Sequence, residues 1–139
     1  MAGGILRVLV AEDIEILRKG LKILLAAYPD VVIAGEAADG LEAVRLSEEL
    51  KPNVVLMDLS MPRMEGIAAI AAIKSQNPET RILALTASRE AELVHRALLA
   101  GADGYLLKNV SAEEMVLAIR QVAGGRPYLS PELAGLFVD

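Results

Sequence analysis

The fold class follows from one short stretch, VVLMDLSMP, residues 54–62. Its first four residues are apolar, which is typical of a strand buried on both faces of a parallel sheet. Asp58 follows at the carboxyl end of that strand, where open α/β sheets keep their ligand crevice. Pro62 cannot continue a strand ladder and turns the chain away. Because a carboxylate is costly to bury alone, Asp58 needs a partner or a chemical task.

The composition predicts one domain with a large apolar core. The chain has 139 residues, of which 54% are hydrophobic, and it contains no cysteine, so disulfides and thiolate metal sites are excluded. The net charge of −5 argues against direct nucleic-acid binding by this segment. The sequence has neither a signal peptide at its start nor an apolar run long enough to span a membrane. We therefore expect a cytoplasmic protein with no membrane partner.

Strands alternate with helices five times along the sequence. We predict strands at 5–10, 31–37, the opening stretch, 81–85 and 104–107, and apolar residues at helical spacing follow each of them. This alternation predicts a parallel sheet with helices on both faces.

Three helix starts carry capping signals. Asp39 with Glu42, and Ser111 with Glu114, have the spacing of capping boxes. Ser130 before a proline predicts one more short helix, with the serine as its N-cap.

Polar residues follow four of the predicted strands at the point where each strand ends. They are Glu12 and Asp13, Asp58, Thr86, and Lys108. Each alone has an ordinary explanation, since acids often cap helices and lysines are usually solvated. Because the ends of parallel strands lie at one edge of a sheet, we expect all five side chains to converge on one crevice.

The charges predict what this crevice binds. Two carboxylates about 4 Å apart repel by about 4 kcal/mol at an effective dielectric constant of about 20. Three carboxylates with one lysine leave excess negative charge, so either a proton or a divalent cation must bind. Oxygen ligands without histidine or cysteine select a hard ion, and a small phosphate-handling site favours Mg²⁺.

Five motifs in this order resemble the receiver domain of two-component response regulators. They are Glu12-Asp13, residues 57–62, Gly66, residues 85–87 and residues 104–108. The resemblance covers residues 6 to 123 and implies a receiver domain at residues 1–123. It also implies the flavodoxin-like (CheY-like) fold, a doubly wound (βα)5 unit with a five-stranded parallel sheet of order 2-1-3-4-5.

The resemblance implies that Asp58 is the phosphoacceptor, which attacks a phosphoryl group carried on a histidine of a partner kinase. Asp13, Asp58 and the backbone carbonyl of Ser60 are implied to bind Mg²⁺ directly, and Glu12 to act through a water molecule. Such a domain is a regulatory protein rather than an enzyme, because it catalyses only its own phosphoryl transfer and dephosphorylation.

The resemblance also implies a switch. Thr86 is expected to donate a hydrogen bond to the phosphoryl group, and Lys108 to form an ion pair with it. Tyr105 is expected to rotate into the space that Thr86 leaves, while the small side chain of Ala87 keeps the approach open. Arg18 has no role in this scheme, and we interpret it as a solvated charge.

Residues 100–108 and 125–131 resemble the NarL/FixJ (LuxR-type) transcription regulators, in which a linker joins the receiver to a helix-turn-helix domain. We therefore expect residues 124–139 to begin a linker toward a DNA-binding domain that this chain lacks. We also expect homodimerisation on phosphorylation. The dimer surface is either the first and fifth helices, or the fourth helix with the fifth strand and helix.

Three alternatives remain at this point. A Mg²⁺-dependent aspartyl-phosphate phosphohydrolase of haloacid-dehalogenase type would also use Asp58, but it needs a second aspartate where this chain has Ser60. A receiver-like module that no longer accepts phosphate would be expected to lack some of the acids, threonine and lysine present here. The third alternative is a natural stand-alone receiver.

Overall fold

The computed structural model describes residues 4–61 and 66–135, in which strands and helices alternate. The helices α1 and α5 have 12 residues each, and no helix in the described ranges combines the length and apolarity needed to cross a bilayer. Pro62, the last residue of the opening stretch, lies outside these ranges. The elements are β1 (Leu6–Ala11), α1 (Glu15–Ala26), β2 (Val31–Ala37), α2 (Gly40–Leu50), β3 (Val54–Asp58), α3 (Gly66–Gln76), β4 (Arg81–Thr86), α4 (Ala91–Ala100), β5 (Gly104–Leu107), α5 (Ala112–Ala123), β6 (Tyr128–Leu129) and α6 (Pro131–Ala134).

The sheet is parallel, with the strand order β2-β1-β3-β4-β5-β6. The predicted order of the first five strands is confirmed, but the predicted number of strands is wrong, because β6 adds a sixth strand beside β5. Two residues are too few to carry a periodic pattern, so no pattern in the sequence predicts this strand. The segment in which we expected a linker to begin therefore contributes to the sheet.

The central strand β3 is buried on both faces, as its four apolar residues predict. Val55 and Met57 belong to the apolar cluster under α2, α3 and α4, whereas Val54 and Leu56 belong to the cluster under α1 and α5. This alternation follows from the period of two along a strand. Each fully buried side chain of this size contributes roughly 1.5–3 kcal/mol, so β3 anchors both halves of the core.

The first capping box forms at α2. The Asp39 Oδ1 atom accepts from the Glu42 N–H at 2.8 Å, and the Glu42 Oε1 atom accepts from the Ala38 N–H at 2.7 Å. The Asp39 carboxylate therefore binds an N–H group that the helix leaves unpaired, whereas the Glu42 carboxylate binds the N–H of the residue before the N-cap.

The second capping box forms only in part. The Ser111 Oγ atom accepts from the Glu114 N–H at 3.1 Å, but the Glu114 carboxylate accepts from the Tyr128 hydroxyl at 2.6 Å. Burial and this hydrogen bond raise the pKa of Tyr128 to about 12. The Glu114 side chain therefore links α5 to β6 instead of binding a backbone N–H at the start of its own helix.

Ser130 occupies the N-cap position of α6, but its side chain does not cap that helix. The Ser130 Oγ atom instead accepts from the Leu107 N–H at 3.1 Å, and the Ser130 N–H donates to the Tyr105 carbonyl at 3.1 Å. Ser130 thus extends the hydrogen bonding between β5 and β6 beyond the two residues of β6.

Gly66 allows α3 to begin directly against the end of β3. A Cβ atom at Gly66 would lie 2.6 Å from both the Asp58 carbonyl oxygen and the Leu59 Cα atom.

We expect Gly66→Ala to lower the free energy of unfolding by about 1–3 kcal/mol, because overpacking against backbone must displace the helix. Urea denaturation measures this change.

Gly20 in α1 supplies the control, because a Cβ atom there would meet nothing within 4 Å. We expect Gly20→Ala to raise the free energy of unfolding by about 0.5–1 kcal/mol, the helix-propensity difference between alanine and glycine. Equal effects of the two substitutions would contradict the packing argument.

Candidate functional site

The five polar residues predicted at strand ends lie at one edge of the sheet. Glu12 and Asp13 follow β1, Asp58 ends β3, Thr86 ends β4, and Lys108 follows β5. Neighbouring strands stop at matching levels, since Asp58 pairs with Leu85 and Thr86 pairs with Leu107. The carboxyl ends of the strands thus bring these side chains to one crevice.

Three carboxylates of the crevice form a compact cluster. Glu12, Asp13 and Asp58 each offer an oxygen atom, and these atoms lie within 4.8 Å of one another. Glu12 and Asp58 are each 1% exposed, whereas Asp13 is partly exposed. Two of the three negative charges are therefore largely shielded from solvent water.

Lys108 lies between the two buried carboxylates. Its Nζ atom is 3.1 Å from Glu12 Oε1 and 3.2 Å from Asp58 Oδ2. Burial lowers the pKa of Lys108, but the charge of Asp58 and the hydrogen bond to Glu12 outweigh it and leave the pKa raised. Lys108 therefore remains positively charged and holds both carboxylates in place.

Backbone groups fix the remaining oxygen atoms of these carboxylates. The Ile14 N–H donates to Glu12 Oε2 at 3.1 Å, and the Ser60 N–H donates to Asp58 Oδ1 at 3.0 Å. Burial nevertheless raises the pKa of Glu12, and the nearby charge of Asp58 adds to this effect. The hydrogen bonds from Ile14 and Lys108 therefore offset only part of the cost of burying the Glu12 carboxylate.

Arg18 contributes to the crevice in a way that the sequence did not reveal. Its side chain is only 16% exposed, and it forms an ion pair with Glu36 at 3.0 Å. It also donates to the Glu12 carbonyl oxygen at 2.7 Å. The interpretation of Arg18 as a solvated charge is wrong, because a tertiary contact with β2 draws it onto the loop after β1.

The donor set fits a hard divalent cation. Lys108 is one positive charge beside three carboxylates, so the cluster retains an excess of negative charge. Its side-chain ligands are all oxygen atoms, which suits Mg²⁺ better than a soft transition metal. The Ser60 carbonyl stays a predicted ligand, and the N–H of the same residue donates to Asp58 Oδ1.

The loop after β4, residues 87–90, covers one side of the crevice, and we call it the switch loop. Thr86 is buried, and its Oγ1 atom accepts from the Ser88 N–H at 3.1 Å. Ala87 is exposed and lines a shallow cleft together with Lys108. The small Ala87 side chain therefore lies at the opening of the crevice, on the side where Lys108 lies.

Tyr105 lies beneath the switch loop. It is 0% exposed, and its hydroxyl donates to the Ser88 carbonyl oxygen at 3.5 Å. Burial raises the pKa of Tyr105, while a hydrogen bond with Thr86 acts in the opposite direction. Tyr105 and Thr86 thus meet at Ser88, a connection that sequence spacing alone does not reveal.

Residues 8–120 match the family described as the response regulator receiver domain. The chain belongs to this family. Among its curated relatives, this receiver is 48% identical over 125 residues to the uncharacterized transcriptional regulatory protein YhcZ of Bacillus subtilis. It is 43% identical over 130 residues to the transcriptional regulatory protein LiaR of the same organism. These matches cover 90% and 94% of the chain but 58% and 62% of the relatives, so the receiver spans about three-fifths of their length.

Solved structures resemble this receiver in both fold and sequence. A LuxR-family two-component response regulator from Aurantimonas matches with a TM-score of 0.91 and 35% identity, covering 95% of this chain and 94% of that chain. The receiver domain of the response regulator NarL from Mycobacterium tuberculosis matches with a TM-score of 0.85 and 37% identity, covering 88% of this chain and 99% of that chain. The predicted family and its LuxR/NarL-type relationship are confirmed, and the chain is a regulatory domain.

Removal of the positive charge of Lys108 should increase the affinity of the crevice for Mg²⁺. We expect Lys108→Met to tighten Mg²⁺ binding by about tenfold, because one positive charge at short range opposes the cation. We expect Asp13→Asn to weaken Mg²⁺ binding by about tenfold or more, since a charged ligand is lost. Isothermal titration calorimetry measures both values.

Lys19→Met is the matched control, because Lys19 is 62% exposed on α1 and its substitution removes the same charge. It should leave the Mg²⁺ affinity within about twofold of the original value, since an exposed charge is screened. If Lys108→Met weakened Mg²⁺ binding, the electrostatic account of the crevice would be wrong.

Proposed function

We propose that this receiver accepts a phosphoryl group on Asp58 from the histidine of a sensor kinase, and that the modified domain controls a transcription regulator. One observation carries the proposal: the Asp58 carboxylate is buried beside Glu12 and Asp13, with Lys108 Nζ 3.2 Å from one of its oxygens. A nucleophilic carboxylate, a cation cluster and a paired lysine are the parts that phosphoryl transfer needs.

The transfer uses groups already in place. An Asp58 oxygen forms the new bond to phosphorus, the bond from phosphorus to the kinase histidine nitrogen breaks, and the imidazole keeps the electron pair. Ser60 and Lys108 each hold one Asp58 oxygen, so the carboxylate is oriented before the donor arrives.

The carboxylates of Asp13 and Asp58 and the Ser60 carbonyl would hold Mg²⁺, with Glu12 acting through a water molecule. When bound, Mg²⁺ supplies positive charge that neutralises the phosphoryl oxygens. Lys108 supplies a second positive charge to the same group.

The added group changes the charge of the crevice. A phosphoryl group carries about −2 charge and three acceptor oxygens. The Thr86 hydroxyl donates to one of them, and Lys108 forms an ion pair with another. Because Thr86 and Tyr105 share Ser88 as a partner, a movement of Thr86 is passed to the aromatic ring.

The phosphorylated receiver controls transcription through a further domain of a longer protein. The chain covers 58–62% of relatives that are named transcriptional regulatory proteins, which supports a longer protein with a helix-turn-helix domain after residues 124–139. DNA contact belongs to that domain, and the proposed function is cytoplasmic, where the kinase's ATP and the DNA lie. A stand-alone receiver is the alternative.

Phosphorylation produces a homodimer through the surface formed by α1 and α5. Exposed apolar side chains concentrate there: Ile16 and Ile23 are each 74% exposed, and Leu17, Leu24 and Leu117 are about half exposed. Contiguous exposed apolar surface is typical of an interaction site. The alternative surface beside β5 is already covered along the strand edge by β6, which favours α1 and α5.

Acetyl phosphate tests the phosphoacceptor directly. Incubation with acetyl phosphate and Mg²⁺ should add the mass of one phosphoryl group to the intact protein, and a chelator should abolish the gain. Asp58→Asn should show no gain, because the amide cannot act as the nucleophile. Steady release of inorganic phosphate without an adduct would instead favour the phosphohydrolase alternative.

The dimer surface is tested by two substitutions of equal exposure. Ile23→Glu should weaken dimerisation of the phosphorylated protein by about tenfold or more, because a charge is placed in an apolar contact. Leu99→Glu is the control, because Leu99 is also 74% exposed but lies on α4. Sedimentation velocity measures both. A loss of dimer only in the Leu99 variant would place the interface on the other surface.

A further inference from the structure

Residues 128–134, which form β6 and α6, pack against the edge of the sheet next to the switch loop, and we call this segment the strap. The Ser130 N–H donates to the Tyr105 carbonyl at 3.1 Å, and the Ser130 Oγ atom accepts from the Leu107 N–H at 3.1 Å. Leu133 is 0% exposed and belongs to the apolar cluster that contains Tyr105 and Leu107. The strap is therefore docked by both backbone hydrogen bonds and apolar burial.

An ion pair connects the strap to the switch loop itself. The Glu132 carboxylate lies 2.5 Å from the Arg89 guanidinium, and both side chains are about half exposed. Arg89 directly follows Ser88, which accepts from the Tyr105 hydroxyl and donates its N–H to Thr86 Oγ1. A short path of contacts therefore leads from Thr86 through the switch loop to the strap.

This path includes a hydrogen bond that phosphorylation would disturb. Thr86 Oγ1 accepts from the Ser88 N–H, and the switch expected of Thr86 turns its hydroxyl toward a phosphoryl group on Asp58. A β-branched side chain turns by changing its χ1 rotamer, which moves the Oγ1 atom away from its former partner. The Ser88–Arg89 backbone then loses its link to the end of β4.

We propose that strap docking and the phosphorylated state of Asp58 oppose each other. The Arg89–Glu132 ion pair holds the switch loop in its present position, and phosphorylation weakens that pair and loosens the strap. Because coupling between two sites is reciprocal, weakening the strap must also favour the phosphorylated arrangement. The inference rests on the proposed role of Asp58, and it makes the strap the first output element of the receiver.

Hydrogen exchange measured by mass spectrometry tests the first half of the proposal. The probe is beryllofluoride with Mg²⁺, a mimic of the phosphoryl group, added to the whole chain. Exchange at the Ser60 and Lys108 amides should slow, while exchange at the Ser130 and Leu133 amides should accelerate. The acceleration should be about two- to fivefold, which is the range that one exposed ion pair supports.

Glu132→Gln tests the reciprocal half, because it removes the ion pair without touching the crevice. This variant should bind beryllofluoride about two- to fivefold more tightly and exchange its strap amides faster before any addition. Glu48→Gln, on the exposed face of α2, removes the same charge and should leave both quantities unchanged.

The experiment distinguishes failure of the proposed function from failure of the strap inference. If beryllofluoride changes no amide near Asp58, the proposed function fails, and the strap inference fails with it. If the Ser60 and Lys108 amides respond but the strap amides do not, or if Glu132→Gln binds the probe like the original protein, the strap inference is wrong and the proposed function stands.

Discussion

The ion pairs of Lys108 with Glu12 and Asp58 are the interaction on which the site depends. Without this cation, two carboxylates that are each 1% exposed would face each other with Asp13 beside them. A buried charge without a partner costs several kcal/mol, far more than an exposed one. Lys108 offsets only part of the negative charge, which suits the crevice to a divalent cation and, under the proposed function, to a phosphoryl group.

The parallel sheet makes this arrangement possible. Its strands end at one edge, so residues that are far apart in sequence, such as Glu12 and Lys108, come within 3.1 Å of each other. The fully buried β3 holds Asp58 on a rigid support, and Gly66 lets α3 start in direct contact with the same strand end. The strands thus hold Asp58, the proposed nucleophile, in a fixed position, whereas the loops carry the side chains that can move.

The sequence predicted the features that depend on local pattern and on strand direction. The alternation of strands and helices, the order of the first five strands and the meeting of Glu12, Asp58 and Lys108 all follow from buried apolar runs that end in polar residues. What it did not predict depends on tertiary contacts. Ser130 has the pattern of an N-cap, yet it bonds to Leu107, which precedes it by 23 residues.

Two further side chains show the same limit. Glu114 has the spacing of a capping box, but the Tyr128 hydroxyl in β6 competes for its carboxylate and binds it at 2.6 Å. Arg18 has the pattern of a solvated charge, but Glu36 and the Glu12 carbonyl hold it against the sheet. In each case a polar group has several partners within reach, and only the folded chain decides among them.

Chemical trapping of the modified residue shows which aspartate accepts the phosphoryl group. Borohydride reduces an aspartyl phosphate to homoserine, so the protein treated with acetyl phosphate and Mg²⁺ can be reduced, digested and sequenced by mass spectrometry. We expect homoserine at position 58 alone, and none when a chelator is present during phosphorylation. Homoserine at another aspartate, or an equal yield without a divalent cation, would contradict the role of the crevice.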